Sequence, residues 1–210
     1  MLKVVYPAVK AANPNAKVVF GGIAYDGFED QGGNFVRSFV DDVLSAGGGS
    51  AFDVMNFHYY PAFKLNWVPS EEDSLGLYAK TQALRTKLQS YGLNKPFVVT
   101  EAGWHSNNPP NAQGSPEIQS RYVTELFTEA IAADVDVMIW WMLYDPGGGY
   151  PFDTGLFTNV TSTITKKSSF TAYQAAMDFL STVTFEAVLK GPSLGTPATD
   201  VIAYQFDDDL

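Results

Sequence analysis

In the segment Lys95-Pro96-Phe97-Val98-Val99-Thr100-Glu101-Ala102-Gly103-Trp104, an apolar, β-branched run drives into a single carboxylate. A small residue, a glycine and an aromatic follow at once. A buried parallel strand reads as a continuous apolar run, so Glu101 stands where such a strand ends. In a (β/α)8 barrel the strand C-termini are where catalytic side chains emerge. One glutamate there, beside an aromatic able to stack on a sugar, suits carbohydrate chemistry. The plain alternative is a charged residue that ends a strand and faces water.

Two further runs carry residues of the right types to join Glu101. Val54, Asn56, His58 and Tyr60 share one face of a second apolar run by strand alternation. Val137, Ile139, Trp141 and Leu143 share one face of another, and Phe97, Val99 and Glu101 share one face of the segment above. If these faces point inward, His58, Tyr60, Glu101 and Trp141 gather at one rim. Each also has an ordinary reading: His58 as a satisfied rim histidine, Tyr60 and Trp141 as packing, Trp104 as a loop residue. Glu101 and His105 have the i, i+4 spacing of a metal pair, but that spacing needs a helix and more ligands. Gly103, Pro109 and Pro110 oppose a helix there, so no metal and no cofactor are expected. Asp26, Glu29 and Asp30 read as loop decoration.

Positioning these residues requires strands separated by helices. Four strands are expected at 17–23, 52–59, 96–101 and 135–143. Helical sequence follows each, the signature of βαβ units and a parallel sheet. Ser70-Glu71-Glu72-Asp73 resembles a capping box ahead of a stripe of Leu77, Leu84, Leu88 and Tyr91, with Gly92 as the stop. Ser115-Pro116-Glu117 reads as an N-cap and first turn, followed by a buried face that includes Tyr122, Val123, Leu126 and Phe127. Further helices are expected at 2–12, 34–46 and 169–180. The loops at 24–33, 61–69, 105–114 and 145–167 are long, as in a fold that works at the C-terminal face of its sheet. Residues 182–189 and 201–206 alternate with period two and read as the first strands of an attached β domain. Asp207-Asp208-Asp209 reads as a solvated tail.

The 210 residues include 46% hydrophobic and 14% aromatic side chains, which fits a folded chain rather than a disordered one. A net charge of −10 argues against a nucleic-acid partner, which wants clustered Lys and Arg. It does not conflict with a neutral sugar polymer. The absence of cysteine removes disulfides and thiol chemistry. No run of about 18 apolar residues occurs, so no membrane span is expected. Met1 to Pro7 does not read as a signal peptide.

Asn56-Phe57-His58-Tyr59-Tyr60-Pro61, Val99-Thr100-Glu101-Ala102-Gly103-Trp104 and Ile139-Trp140-Trp141-Met142-Leu143-Tyr144-Asp145, in that order, resemble strands six, seven and eight of the large clan of retaining (β/α)8 glycoside hydrolases. That clan includes cellulases, mannanases, β-xylosidases and β-glucosidases. Residues 2–22 resemble its helix four leading into strand five. The resemblance implies an α/β TIM-barrel glycosidase of which strands five to eight occupy residues 1–181, with residues 182–210 a linker and the start of a β-sandwich-like domain. It implies Glu101 as nucleophile, Tyr60 and His58 as its catalytic partners, and Trp141, Trp104 and Asn56 as substrate-binding residues. The implied reaction is hydrolysis of β-linked oligo- or polysaccharides by retaining double displacement. The clan's acid/base glutamate, on strand four, has no counterpart here. The chain therefore reads as a fragment, inactive alone, whose unpaired strand edges invite self-association. An extracellular setting is compatible with the resemblance. A non-catalytic carbohydrate-binding or scaffold protein is the competing reading, since it would keep the indoles without needing Glu101.

Overall fold

Consecutive parallel strands need a crossover between them, and helices supply it here. The computed structural model describes residues 1–24, 27–60, 76–108, 114–147, 149, 153–159, 163–195 and 202–208. Strands β1 (Ile23–Ala24), β2 (Met55–Tyr59), β3 (Phe97–Ala102) and β4 (Val135–Trp140) form one parallel sheet in the order β1-β2-β3-β4. Around it lie α1 (Leu2–Ala12), α2 (Phe39–Ser45), α3 (Gly76–Ser90), α4 (Pro116–Ala132) and α5 (Ser168–Leu180). A separate antiparallel pair, β5 (Val183–Lys190) and β6 (Ile202–Asp208), follows.

The core lies between the sheet and the helices. Met55, Phe57 and Tyr59 from β2 and Phe97 and Val99 from β3 pack with Leu77, Leu84 and Leu88 of α3 and Val123 and Leu126 of α4. The Arg85 guanidinium of α3 lies 4.8 Å from the centre of the Phe97 ring, which places that ring on the helix side. Phe97 and Val99 therefore do not share an inward face with Glu101, contrary to strict alternation. The cause is a slip in the β3 register. Phe57 pairs with Val99 but His58 pairs with Glu101, leaving Thr100 as an extra residue. The β4 side shows the same slip, with one more residue between Val99 and Ala102 than between their partners Met138 and Trp140. A β-bulge of this kind brings neighbouring side chains to one face.

Other departures have local causes. The first strand is cut to Ile23–Ala24, although Val19 still bridges Val54 and the Phe20 amide donates to the Val54 carbonyl. The Gly21-Gly22 pair interrupts it, since glycine weakens a strand interior. Helix α2 begins at Phe39 rather than at residue 34. The chain before it is held in a turn, with Phe35 bridging Phe28 and the Asn34 and Phe35 amides donating to the Gly27 carbonyl. Asp207 and Asp208 are not a free tail; they pair with Thr184 and Val183 in the hairpin.

Helix ends follow the expected chemistry where they are described. Ser115 caps α4, its hydroxyl accepting from the Ile118 amide at 3.1 Å. Gly92 stops α3 at a φ of +71°, and Leu93 donates back to the Leu88 carbonyl at 3.0 Å. Tyr91 lies beyond the end of α3 and is exposed, outside the Leu77–Leu84–Leu88 stripe. The expected capping box at 70–73 lies outside the described residues. The first amides of α3 instead meet a carboxylate from far along the chain: Leu77 and Tyr78 donate to Glu129 Oε2 on α4. Helix α1 is tied to the sheet by Asp53, which accepts from Tyr6 at 2.9 Å, pairs with Lys10 at 2.8 Å and takes the Val18 amide at 2.7 Å.

Candidate active site

Strand β2 carries Asn56 and His58, with Tyr60 just past its end, and the bulge in β3 turns Thr100 and Glu101 toward them. The Tyr60 hydroxyl donates to Glu101 Oε2 at 2.9 Å. His58 Nδ1 lies 3.4 Å from the same oxygen. On the other side of the imidazole, Nε2 is 3.1 Å from Thr100 Oγ1. The Glu101 side chain remains 37% exposed and that of His58 23%, so the carboxylate is open to a ligand.

Burial and the adjoining Glu101 carboxylate both push the Tyr60 hydroxyl far above the ordinary phenol range. The phenol therefore stays protonated and donating. Trp141, just past the end of β4, presents a face-to-edge contact to Tyr60, with ring centres 6.2 Å apart at 88°. Its backbone is fixed by donation of the Trp141 amide to the Ala102 carbonyl at 2.8 Å. Trp140, next to it, points the other way, is buried, and donates Nε1–H to the Thr154 carbonyl at 2.9 Å.

The remaining expected site residues are placed differently. Asn56 is buried, and its Oδ1 accepts from both the amide and the hydroxyl of Thr100, at 3.2 Å and 3.1 Å. It supports the site from beneath rather than lining its mouth. Trp104 stacks on His105, with ring centres 5.9 Å apart at 15°, and leans on Tyr122 of α4 at 5.0 Å. His105 is buried under that stack. No cluster of three His, Cys, Asp or Glu side chains able to hold a metal occurs among the described residues. Glu29 lies in a short turn and Asp30 pairs with Arg37 at 2.9 Å, while Asp26 lies outside the described residues. No helix among the described residues is long and apolar enough to cross a membrane.

Three contributors were not singled out from sequence. Thr100 is invisible to an alternation argument, because it reaches the site only through the bulge. Gly22 gives His58 its room: a Cβ at that position would collide with the imidazole at Nε2. Gln119, in the first turn of α4, donates its side-chain amide to the Trp104 carbonyl at 2.8 Å, with Asp153 and Gly155 carbonyls at 3.4 Å. It thereby ties the segment after β3 to the one after β4. Asp145 closes the latter segment, pairing with Lys167 at 3.0 Å and accepting from the Gly155 amide at 2.8 Å.

One carboxylate flanked by a phenol donor and an imidazole, with an indole against the phenol ring, at the C-terminal end of a parallel sheet, can attack an electrophilic carbon or hold a proton. The sequence matches no family model and no curated protein. Among solved structures it is similar to a family 39 glycoside hydrolase from the gut symbiont Bacteroides cellulosilyticus WH2, at 24% identity and a TM-score of 0.62 over 90% of this chain and 38% of that one. It is also similar to the GH53 catalytic domain from Ignisphaera aggregans, at 18% identity and a TM-score of 0.50 over 83% of this chain and 50% of that one. A third similarity is to the catalytic core of xylanase A, at 13% identity and a TM-score of 0.52 over 84% and 54%. Because the chain spans between 38% and 54% of those three lengths, the likeness is one of fold and is consistent with a partial (β/α)8 barrel.

Proposed function

We propose that this chain carries the nucleophile side of a retaining glycosidase site acting on β-linked oligo- or polysaccharides. The observation that supports it best is Glu101 Oε2 receiving the Tyr60 hydroxyl at 2.9 Å, with the Trp141 indole against the Tyr60 ring. In double displacement a carboxylate attacks the anomeric carbon while the bond to the leaving oxygen breaks, and water later cleaves the resulting ester. Glu101 makes that attack. Tyr60 orients it, His58 stands beside the same oxygen, and Trp141 offers an aromatic face to the sugar ring. Trp104 and Asn56 shape the site from behind.

The leaving oxygen normally needs a proton from a second carboxyl group. We assign that group to no residue of this chain and expect it from the remainder of a complete barrel. This suggests a direct test. A dinitrophenyl β-glycoside has a leaving group stable enough to depart without protonation, so it reports attack alone. The chain should release up to one equivalent of dinitrophenolate in a burst, and Glu101→Gln should abolish it. Glu101→Gln that keeps sugar affinity, with no burst from the parent chain, would instead identify a carbohydrate-binding protein.

A further inference from the structure

The hydrogen bonds around His58 have a direction that can be read from a backbone amide outward. The Thr100 N–H can only donate, and it points at one atom of the Asn56 side chain at 3.2 Å. That atom is therefore the carbonyl oxygen and not the amide nitrogen. The Thr100 hydroxyl lies 3.1 Å from the same oxygen. An amide oxygen only accepts, so the hydroxyl proton is committed to Asn56. Thr100 Oγ1 then faces His58 Nε2 at 3.1 Å with lone pairs alone, and Nε2 must carry the hydrogen. A neutral imidazole has one N–H. Nδ1 of neutral His58 is thus a bare acceptor, and it faces the Glu101 oxygen at 3.4 Å that already accepts from Tyr60.

We infer that Thr100, backed by Asn56, is a positioning residue that locks His58 in its Nε2–H tautomer, so that His58 can hydrogen-bond the Glu101 carboxylate only by taking a second proton on Nδ1. Neutral His58 turns a lone pair toward the carboxylate and leaves Tyr60 as its donor. Charged His58 donates Nδ1–H to Oε2, beside the Tyr60 hydroxyl that already donates there. The lock thus makes Glu101 responsive to a single proton on its neighbour. Glu101 of β3 faces His58 directly, and Tyr60, just after β2, donates to the same carboxylate oxygen. From the β1 side the ring meets Gly22, and residues 21–24 carry no titratable side chain. The consequence for attack rests on the function proposed above, while the tautomer does not.

The chain has only two histidines, His58 and His105, so nitrogen-15 correlation spectra of the imidazoles can separate their tautomers. His58→Gln assigns the signals by removing one set. At pH values where imidazole is neutral, the full chain should show His58 as Nε2–H. Thr100→Val removes the acceptor, and His58 should switch to Nδ1–H donating to Glu101. Thr100→Ser, which keeps the hydroxyl, should restore the Nε2–H pattern. If Thr100→Val does not fold, Asn56→Leu frees the hydroxyl proton to donate to Nε2 and should give the same switch. An Nδ1–H signal for His58 in the parent chain, or an Nε2–H signal unchanged in the folded Val or Leu variant, overturns the lock. Should neither variant fold, the parent spectrum decides. An Nε2–H His58 in a chain whose Glu101 never reacts would sink the glycosidase reading and leave the lock standing; Nδ1–H with a reactive Glu101 would do the reverse.

Discussion

Tyr60 is the residue that most directly conditions Glu101. Its hydroxyl donates at 2.9 Å to the oxygen that also faces His58, and burial keeps it protonated. A hydrogen bond to a charged group is worth roughly 1.5–3 kcal/mol, so Tyr60→Phe should slow dinitrophenolate release about 10- to 100-fold. The phenyl ring would keep its edge contact with Trp141, so thermal stability should change little. A change in the burst rate of under about twofold would contradict this role. Glu101, His58, Tyr60 and Trp141 were legible in the sequence because each ends or follows an apolar run and so had a place before it had a contact. Asn56 and Trp104 were legible as members of the same neighbourhood but not in their orientation, which depends on Thr100 and on Tyr122. Thr100 was not legible, since no spacing rule announces an extra residue in a strand.

At the scale of elements, the bulge in β3 is what turns a strand end into a site. Phe97 and Val99 stay with the helices, and the slip at Thr100 lets Glu101 face the opposite way. Helix α3 shows a second long-range dependence. Its first amides lean on Glu129, a buried residue of α4 that also accepts from Tyr204 of β6 at 3.4 Å. Burial, with Glu125 nearby, raises the Glu129 carboxyl to about 8 against the opposing pull of those amides and the Tyr204 hydroxyl. The unfolded chain releases this proton near 4.5, the ordinary glutamate value, while the folded chain holds it to about 8. The unfolded state therefore binds fewer protons in between, and stability falls as pH rises through that window. Below it the contribution is fully present. Glu129→Gln should remove this slope, on the order of a few kcal/mol, without removing the acceptor for the α3 amides. Urea midpoints compared at pH 5 and pH 9 check it: the parent should lose stability relative to the variant, and parallel midpoints would refute it. The apolar stripe of α3 and the Ser115 cap of α4 were readable locally; the Glu129 cap was not, because its partners are distant in sequence.

Across the whole molecule, the sheet leaves β1 and β4 with an unpaired edge among the described residues. Val137 and Ile139, on one face of β4, are each nearly half exposed. Near β1 an open cavity of about 660 Å³ is lined by Leu2, Phe20, Ile23, Phe39 and Val43. Exposed parallel edges beside apolar faces favour pairing with further strands. The isolated chain should therefore associate as its concentration rises, seen as a shift to earlier elution on size exclusion, and a monomer at every concentration would contradict this. The alternation of strands and helices was legible because each strand is an unbroken apolar run and each helix has its own stripe. The brevity of β1 and the start of α2 were set by glycines and by the Phe28–Phe35 bridge, which act only once the chain has folded back on itself. The central claim is that Glu101 attacks sugar carbon, and its most direct test is covalent capture. Incubation with a 2-deoxy-2-fluoro glycoside bearing a dinitrophenyl leaving group, then peptide mass mapping, should find one fluoroglycosyl ester on the Glu101 peptide and none in Glu101→Gln. An unlabelled Glu101 peptide, or the same label on another carboxylate, would contradict the account.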